Sequence, residues 1–189
     1  MMNEISTQKK VRLDTYNNSW YNPGPKWKIF LWYFVNVVFF INHLNPFIAI
    51  KVFLLRLFGA KVGKNCCIKP GVNIKYPWKL VINDYVQIGE NVWIDNLDTV
   101  VLNSHSTLSQ GAFILTGNHN YKKEGFDLII KPVIIGEGVW IGAKAMVCPG
   151  VTCKSHSILT AGSVANTDLE PYLIYSGHPA VPVRERIIE

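Results

Sequence analysis

Charge is scarce in this chain: only 17% of its 189 residues are Asp, Glu, Lys or Arg, against 49% apolar and 12% aromatic. That balance excludes a disordered or fibrous protein and fits one well-cored domain with a small extension. Cysteine is scarce too. Cys66, Cys67, Cys148 and Cys153 form no CxxC pair, and two of them are adjacent, which does not suit a disulfide framework. Reduced thiols in a cytoplasm are the expectation. The formal charge is +6, yet no Lys/Arg block of the nucleic-acid kind appears. A phosphorylated cofactor or an anionic surface fits the basic balance, and a nucleic acid partner is not expected. Residues 1–22 contain no apolar core, so no secretory signal is expected there. Nor does any apolar run reach the ~20 residues that span a bilayer. The longest, residues 29–41, contains Asn36 and is broken by Asn42, His43, Asn45 and Pro46 before a second run at 47–58. Two readings of these runs stand. They are helices packed on the domain or on a neighbouring subunit, or they touch a membrane peripherally through Trp27, Trp32, Tyr33, Lys26 and Lys28.

What the chain has is a repeat. Val62, Ile68 and Ile74 are six apart; after a slip of two come Ile82, Ile88 and Ile94; after another come Leu102, Leu108 and Ile114. An interruption follows, and the register returns at Ile135, Ile141, Val147, Cys153 and Leu159. Four residues after most of these lies a smaller companion, such as Val72, Val92, Ala112, Ala145 or Ser157. An α-helix cannot hold one residue class in one direction at a period of six. A strand that turns a corner after each hexad can, and three hexads stacked as a triangular coil pair every amide with neighbouring coils. Gly63, Gly89, Gly136 and Gly142 each follow a large aliphatic, where tight turning or close approach favours a small residue. The fold class is therefore an all-β solenoid, a parallel β-helix of four to five coils behind an N-terminal helical segment. The expected division is an N-terminal extension over 1–57, the β-helix over 58–168 with an expelled loop at 117–131, and a C-terminal tail over 169–189.

These hexads resemble the hexapeptide-repeat acyltransferases. Further segments resemble the colanic acid biosynthesis group within them: Phe-Leu-Leu-Arg-Leu-Phe-Gly-Ala-Lys at 53–61, Ile-Lys-Tyr-Pro-Trp-Lys-Leu at 74–80 and Val-Trp-Ile-Asp-Asn-Leu at 92–97. Ser-Gln-Gly-Ala-Phe at 109–113, Thr-Gly-Asn-His-Asn at 116–120, Gly-Val-Trp-Ile-Gly-Ala-Lys at 138–144 and Gly-His-Pro-Ala-Val at 177–181 complete the match. The resemblance implies a left-handed helix, a homotrimer, and acetyl-CoA-dependent O-acetyl transfer to a sugar hydroxyl of an exopolysaccharide precursor. The acceptor it implies is a nucleotide sugar or a lipid-linked oligosaccharide, and the location is cytoplasmic or peripheral to the inner face of the membrane.

Irregular loops on rigid scaffolds commonly carry sites, and His119 opens the expelled loop. By resemblance it falls on the catalytic histidine. The chemistry suits imidazole, which titrates near neutrality, can take the proton of an attacking hydroxyl and can later return it to the leaving thiolate. A backbone N–H would stabilise the developing oxyanion, and resemblance places it near Gly142 and Ala143. Asp95 and Asn96, at a slip, either meet sugar hydroxyls, orient the imidazole or close an Asx turn. Trp93 is set to stack on a sugar or a neighbouring subunit. Resemblance puts Trp140, Ala161 and Gly162 along the pantetheine arm and Arg184, with Arg186, at the coenzyme phosphates. Many relatives carry Thr-Lys where this chain reads Ala165-Asn166-Thr167-Asp168, which shifts phosphate binding toward Arg184. His105 and His156 point outward at corners, and His178 reads as structural. No metal is expected, since a hydratase on this fold needs three converging histidines. A non-catalytic scaffold or membrane-peripheral binding protein is the alternative.

Overall fold

The computed structural model describes residues 9–189, so part of the 1–57 extension and of the 1–22 stretch lies outside the described residues. The hexads form a parallel β-helix of three faces. The first stacks Lys61–Val62, Leu80–Ile82, Val100–Leu102, Val133–Ile135 and Thr152–Cys153. The second stacks Cys67–Ile68, Gln87–Ile88, Thr107–Leu108, Trp140–Ile141 and Ile158–Leu159, and is extended by Leu173–Gly177. The third stacks Asn73–Ile74, Trp93–Asp95, Phe113–Leu115, Met146–Val147 and Val164–Ala165. Register places aliphatic above aliphatic, as in Ile68, Ile88, Leu108, Ile141 and Leu159. These columns and their smaller companions are almost entirely buried. At roughly 1.5–3 kcal/mol for each fully buried side chain, they are the core.

The hexad count undershoots at the C-terminal end. Ala165, six after Leu159, occupies the inward position with too small a side chain to be read as a repeat aliphatic, and it completes a fifth coil. Leu169 bridges to Cys153 and begins a sixth. The segment read as a tail instead folds into an antiparallel hairpin of Leu173–Gly177 and Ala180–Glu185, which closes the second face.

All extra length leaves the helix at one edge, between the third and first faces. The two slips are the turn around Pro77–Lys79 and residues 96–99, and the interruption is residues 116–132. The last of these contains a two-stranded antiparallel hairpin, Gly117–His119 with Leu128–Ile130. Residues 12–24 run along the same edge. Arg12 N–H donates to Glu124 O, Asn17 N–H to the Asp127 carboxylate, Tyr21 OH to Leu97 O, and Trp78 Nε1–H to Pro23 O.

The two apolar runs become α1 (Lys26–Val35), a π-helical turn at Asn36–Ile41, and α2 (Ile48–Leu57). They cap the open end of the solenoid by a specific substitution. In later coils each inward aliphatic offers its carbonyl to the N–H after the matching aliphatic one coil earlier, as Lys69 N–H does to Ile88 O. The first coil has no earlier neighbour, and unpaired strand edges are costly. Three side chains stand in, one per face: Arg56 donates to Val62 O, Lys51 to Ile68 O at 3.3 Å, and Trp32 to Ile74 O at 2.7 Å.

Lys51 is fully buried, and burial pushes its ammonium below the ordinary 10.5. Between the lowered native value and 10.5 the unfolded chain holds more protons than the native one, so this residue adds stability as pH rises. The expected result is that wild type gains on Lys51→Met as pH is raised from 7 toward 10.5. Urea denaturation of both proteins at each pH measures it, and a constant difference would refute the assignment.

Candidate active site

His119 ends the first strand of the expelled hairpin, half-buried. Its ring lies flat on Phe126 with centroids 4.5 Å apart and 8° between planes, and Tyr16 stands at 6.0 Å on another side. Nδ1 is 2.9 Å from Phe126 O. A carbonyl can only accept, so Nδ1 carries the hydrogen and Nε2 of the neutral ring keeps its lone pair for chemistry. The imidazole is thus held by stacking and one hydrogen bond in the tautomer a base requires.

Asp95 and Trp93 lie on the third face, one coil before Phe113 and Leu115. Trp93 is exposed and stacks on Phe113 at 4.7 Å. Lys75 Nζ approaches Asp95 Oδ1 at 2.8 Å, and the carboxylate keeps only 14% side-chain exposure. The two residues form one wall of an apolar cavity of about 320 Å³, whose other wall is Ile29, Tyr33, Val37 and Ile41 of the N-terminal helices.

Asn96 is a correction to the sequence reading. It is fully buried, its Oδ1 accepts from Tyr76 N–H at 2.9 Å, and its Nδ2 donates to Tyr76 O at 2.6 Å. Both ends of the amide are used in closing the slip, so it offers nothing to a sugar. Thr116, the first residue of the Thr-Gly-Asn-His-Asn segment, braces the same edge. Its hydroxyl donates to Asp95 O and accepts from Asp98 N–H, tying the root of the loop to the coil that holds Asp95.

On the second face, Trp140 is exposed and donates from Nε1 to Ser109 Oγ at 2.8 Å. Gly142 is buried and its N–H is taken by Leu159 O, so it is a coil contact and has no donor left for an oxyanion. Ala143 N–H and Ala161 N–H, by contrast, have no acceptor among the described residues. Gly162 is exposed with φ +68 and open space above it, and its carbonyl is held by His178 Nε2. These free amides beside an exposed indole fit an extended amide-bearing arm such as pantetheine. Arg184 is exposed, whereas Arg186 is half-buried with its Nη1 donating to Gly138 O and His156 O. His105 and His156 occupy left-handed corners, φ +62 each, stacked on Tyr85 and Tyr172. No group of three metal-ligating side chains occurs among the described residues.

A single chain does not bring His119 to Ala143. The first leaves the edge between the third and first faces; the second turns the edge between the second and third, and Met146–Val147 lies between.

Comparison with known proteins follows the same lines. WcaF of Escherichia coli K12, assigned as a colanic acid biosynthesis acetyltransferase, is 37% identical over 160 residues, covering 85% of this chain and 88% of that protein. The galactoside O-acetyltransferase of the same bacterium is 28% identical over 159 residues, 76% of this chain and 73% of its own length. Among solved structures, the hexapeptide-repeat acetyltransferase VCA0836 of Vibrio cholerae, complexed with acetyl-CoA, superposes with a TM-score of 0.69 at 26% identity, covering 74% of this chain and 78% of that one. The shared fold is the left-handed parallel β-helix. No protein-family model matches the chain.

Proposed function

This chain belongs to the hexapeptide-repeat acetyltransferases, and from that membership we propose that it moves the acetyl group of acetyl-CoA to a sugar hydroxyl of an exopolysaccharide precursor, with His119 as general base. The observation that carries the reading is the held tautomer of His119, Nδ1–H on Phe126 O and Nε2 free, at the mouth of the expelled loop.

Nε2 takes the hydroxyl proton as the sugar oxygen bonds to the thioester carbonyl carbon. The charge gathering on the carbonyl oxygen is met by a backbone N–H, and Ala143 is the free donor in the coil after the loop. When the carbon–sulfur bond breaks, His119 returns its proton to the sulfur, so no covalent enzyme intermediate is needed. Trp140, Ala161 and Gly162 line the arm of the donor, and Arg184 faces its phosphates in place of the missing lysine. Trp93 and Asp95 hold the acceptor.

His119 and Ala143 lie on different edges of one prism, so the complete site needs His119 of one protomer and the Trp140–Ala143 coil of another. A homotrimer supplies three such grooves. The test is an acceptor screen with acetyl-CoA, read by the mass gained on the sugar; no transfer to any sugar, together with no acetyl-CoA binding, sinks the proposal. Trp140→Ala is expected to weaken acetyl-CoA binding by about tenfold through lost aromatic contact, measured by calorimetry. Unchanged affinity would remove Trp140 from the donor path.

A further inference from the structure

The helices that cap the solenoid bury little of themselves. Along α1 and the π-helical turn the buried residues are Trp32, Asn36 and Phe40, a stripe at a spacing of four, with Val35 and Phe39 half-buried against the core beside it. Around it Trp27, Phe30, Phe34, Leu44, Phe47 and Phe53 are each more than half exposed. A contiguous apolar surface of this kind on a protein face marks an interaction site.

Charge says what kind. Between Thr15 and Asn83 the chain has nine Lys or Arg residues and not one Asp or Glu; outside that stretch it has ten basic and thirteen acidic residues. The stretch that forms the capping end therefore carries a cationic excess, and the rest of the chain is net acidic. Some of these cations have local tasks, since Lys51 is buried and Lys64 and Lys75 pair with Asp84 and Asp95, but Arg56 bonds only carbonyls and has no acidic partner among the described residues. Neither helix is long and apolar enough to cross a bilayer. Short in-plane helices with exposed aromatics and flanking lysines suit the headgroup boundary of an anionic membrane.

We propose that the face formed by α1, the π-helical turn and α2 docks on an anionic phospholipid surface. Docking also aims the site. Tyr33, Val37 and Ile41 belong at once to this exposed face and to the apolar cavity that ends at Trp93 and Asp95. A sugar carried on a membrane lipid would enter with its lipid stem along the helices and its sugar at Asp95. That second step rests on the acetyl-transfer reading, whereas the docking does not.

The test is flotation of the full-length protein with phosphatidylcholine vesicles, with and without about one-third phosphatidylglycerol, alongside a Phe34→Glu/Phe53→Glu variant. Wild type is expected to float with the anionic vesicles only, less so in high salt, and the variant to bind at least tenfold more weakly with unchanged mass by light scattering and unchanged melting temperature. Wild type that stays in the soluble fraction with both vesicles overturns the docking. So does a variant that falls apart into monomers, because the face is then covered by a second copy of this chain. Acetyl-CoA affinity measured on the same samples separates the two claims: its absence counts against the transfer reading and leaves the vesicle result standing.

Discussion

His119→Ala is expected to lower acetyl transfer by about 10²–10⁴-fold, the range a positioned base supplies. In the proposed mechanism the imidazole acts on the hydroxyl and not on the donor arm, so the loss should fall on kcat, with KM for acetyl-CoA little changed. The ring is only half-buried and its one structural bond goes to a neighbouring carbonyl, so the melting temperature should hold. Phe126 makes the prediction sharper. Its carbonyl fixes the tautomer and its ring fixes the plane, so Phe126→Ala keeps the base and loosens its aim. That variant should retain more activity than His119→Ala while losing rate at unchanged acetyl-CoA affinity. Steady-state kinetics on a responsive acceptor checks both. Undiminished transfer by His119→Ala would remove the base from the mechanism.

Much of this molecule is legible in its sequence because a period of six leaves few alternatives. Each repeat aliphatic in the chain from Ile68 to Leu159 is inward and buried, and the two slips mark real departures from the coil. The expelled hairpin that carries His119 was legible for a related reason: a polar segment that leaves so regular a solenoid interrupts the period. Other features are hidden by their physics. Ala165 has the right position with a side chain too small to announce it. Asn96 has the chemistry of a sugar ligand, but its use was decided by the backbone of Tyr76, twenty residues away and one coil earlier. Ala143 and Gly142 are equivalent as sequence; only the coil contact, which takes one N–H and spares the other, tells them apart. The strap of residues 12–24 leaves no periodic trace, since it follows an edge and packs on loops.

The glycines give the second large effect, and the reason differs from turn formation. Gly63, Gly89, Gly136 and Gly142 are not among the residues with positive φ, so none is needed for left-handed backbone. They are needed for distance. A Cβ at Gly136 would meet Cys153 O at 2.7 Å, Ser155 N at 2.8 Å and Lys154 C at 3.0 Å, all backbone atoms of the next coil. Backbone cannot swing aside as a long side chain can, so the coils must part and their hydrogen bonds lengthen. Gly136→Ala is therefore expected to cost about 3 kcal/mol, the upper end for overpacking. Gly162 is the control: it has φ +68 and nothing within 4 Å of the added carbon. Gly162→Ala meets only the left-handed backbone penalty, about 1–2 kcal/mol. Urea denaturation of the two variants should rank Gly136→Ala as the more damaging, although its backbone is the ordinary one. The reverse order would show that coil spacing yields more readily than a corner does, and that this solenoid is held by its turns.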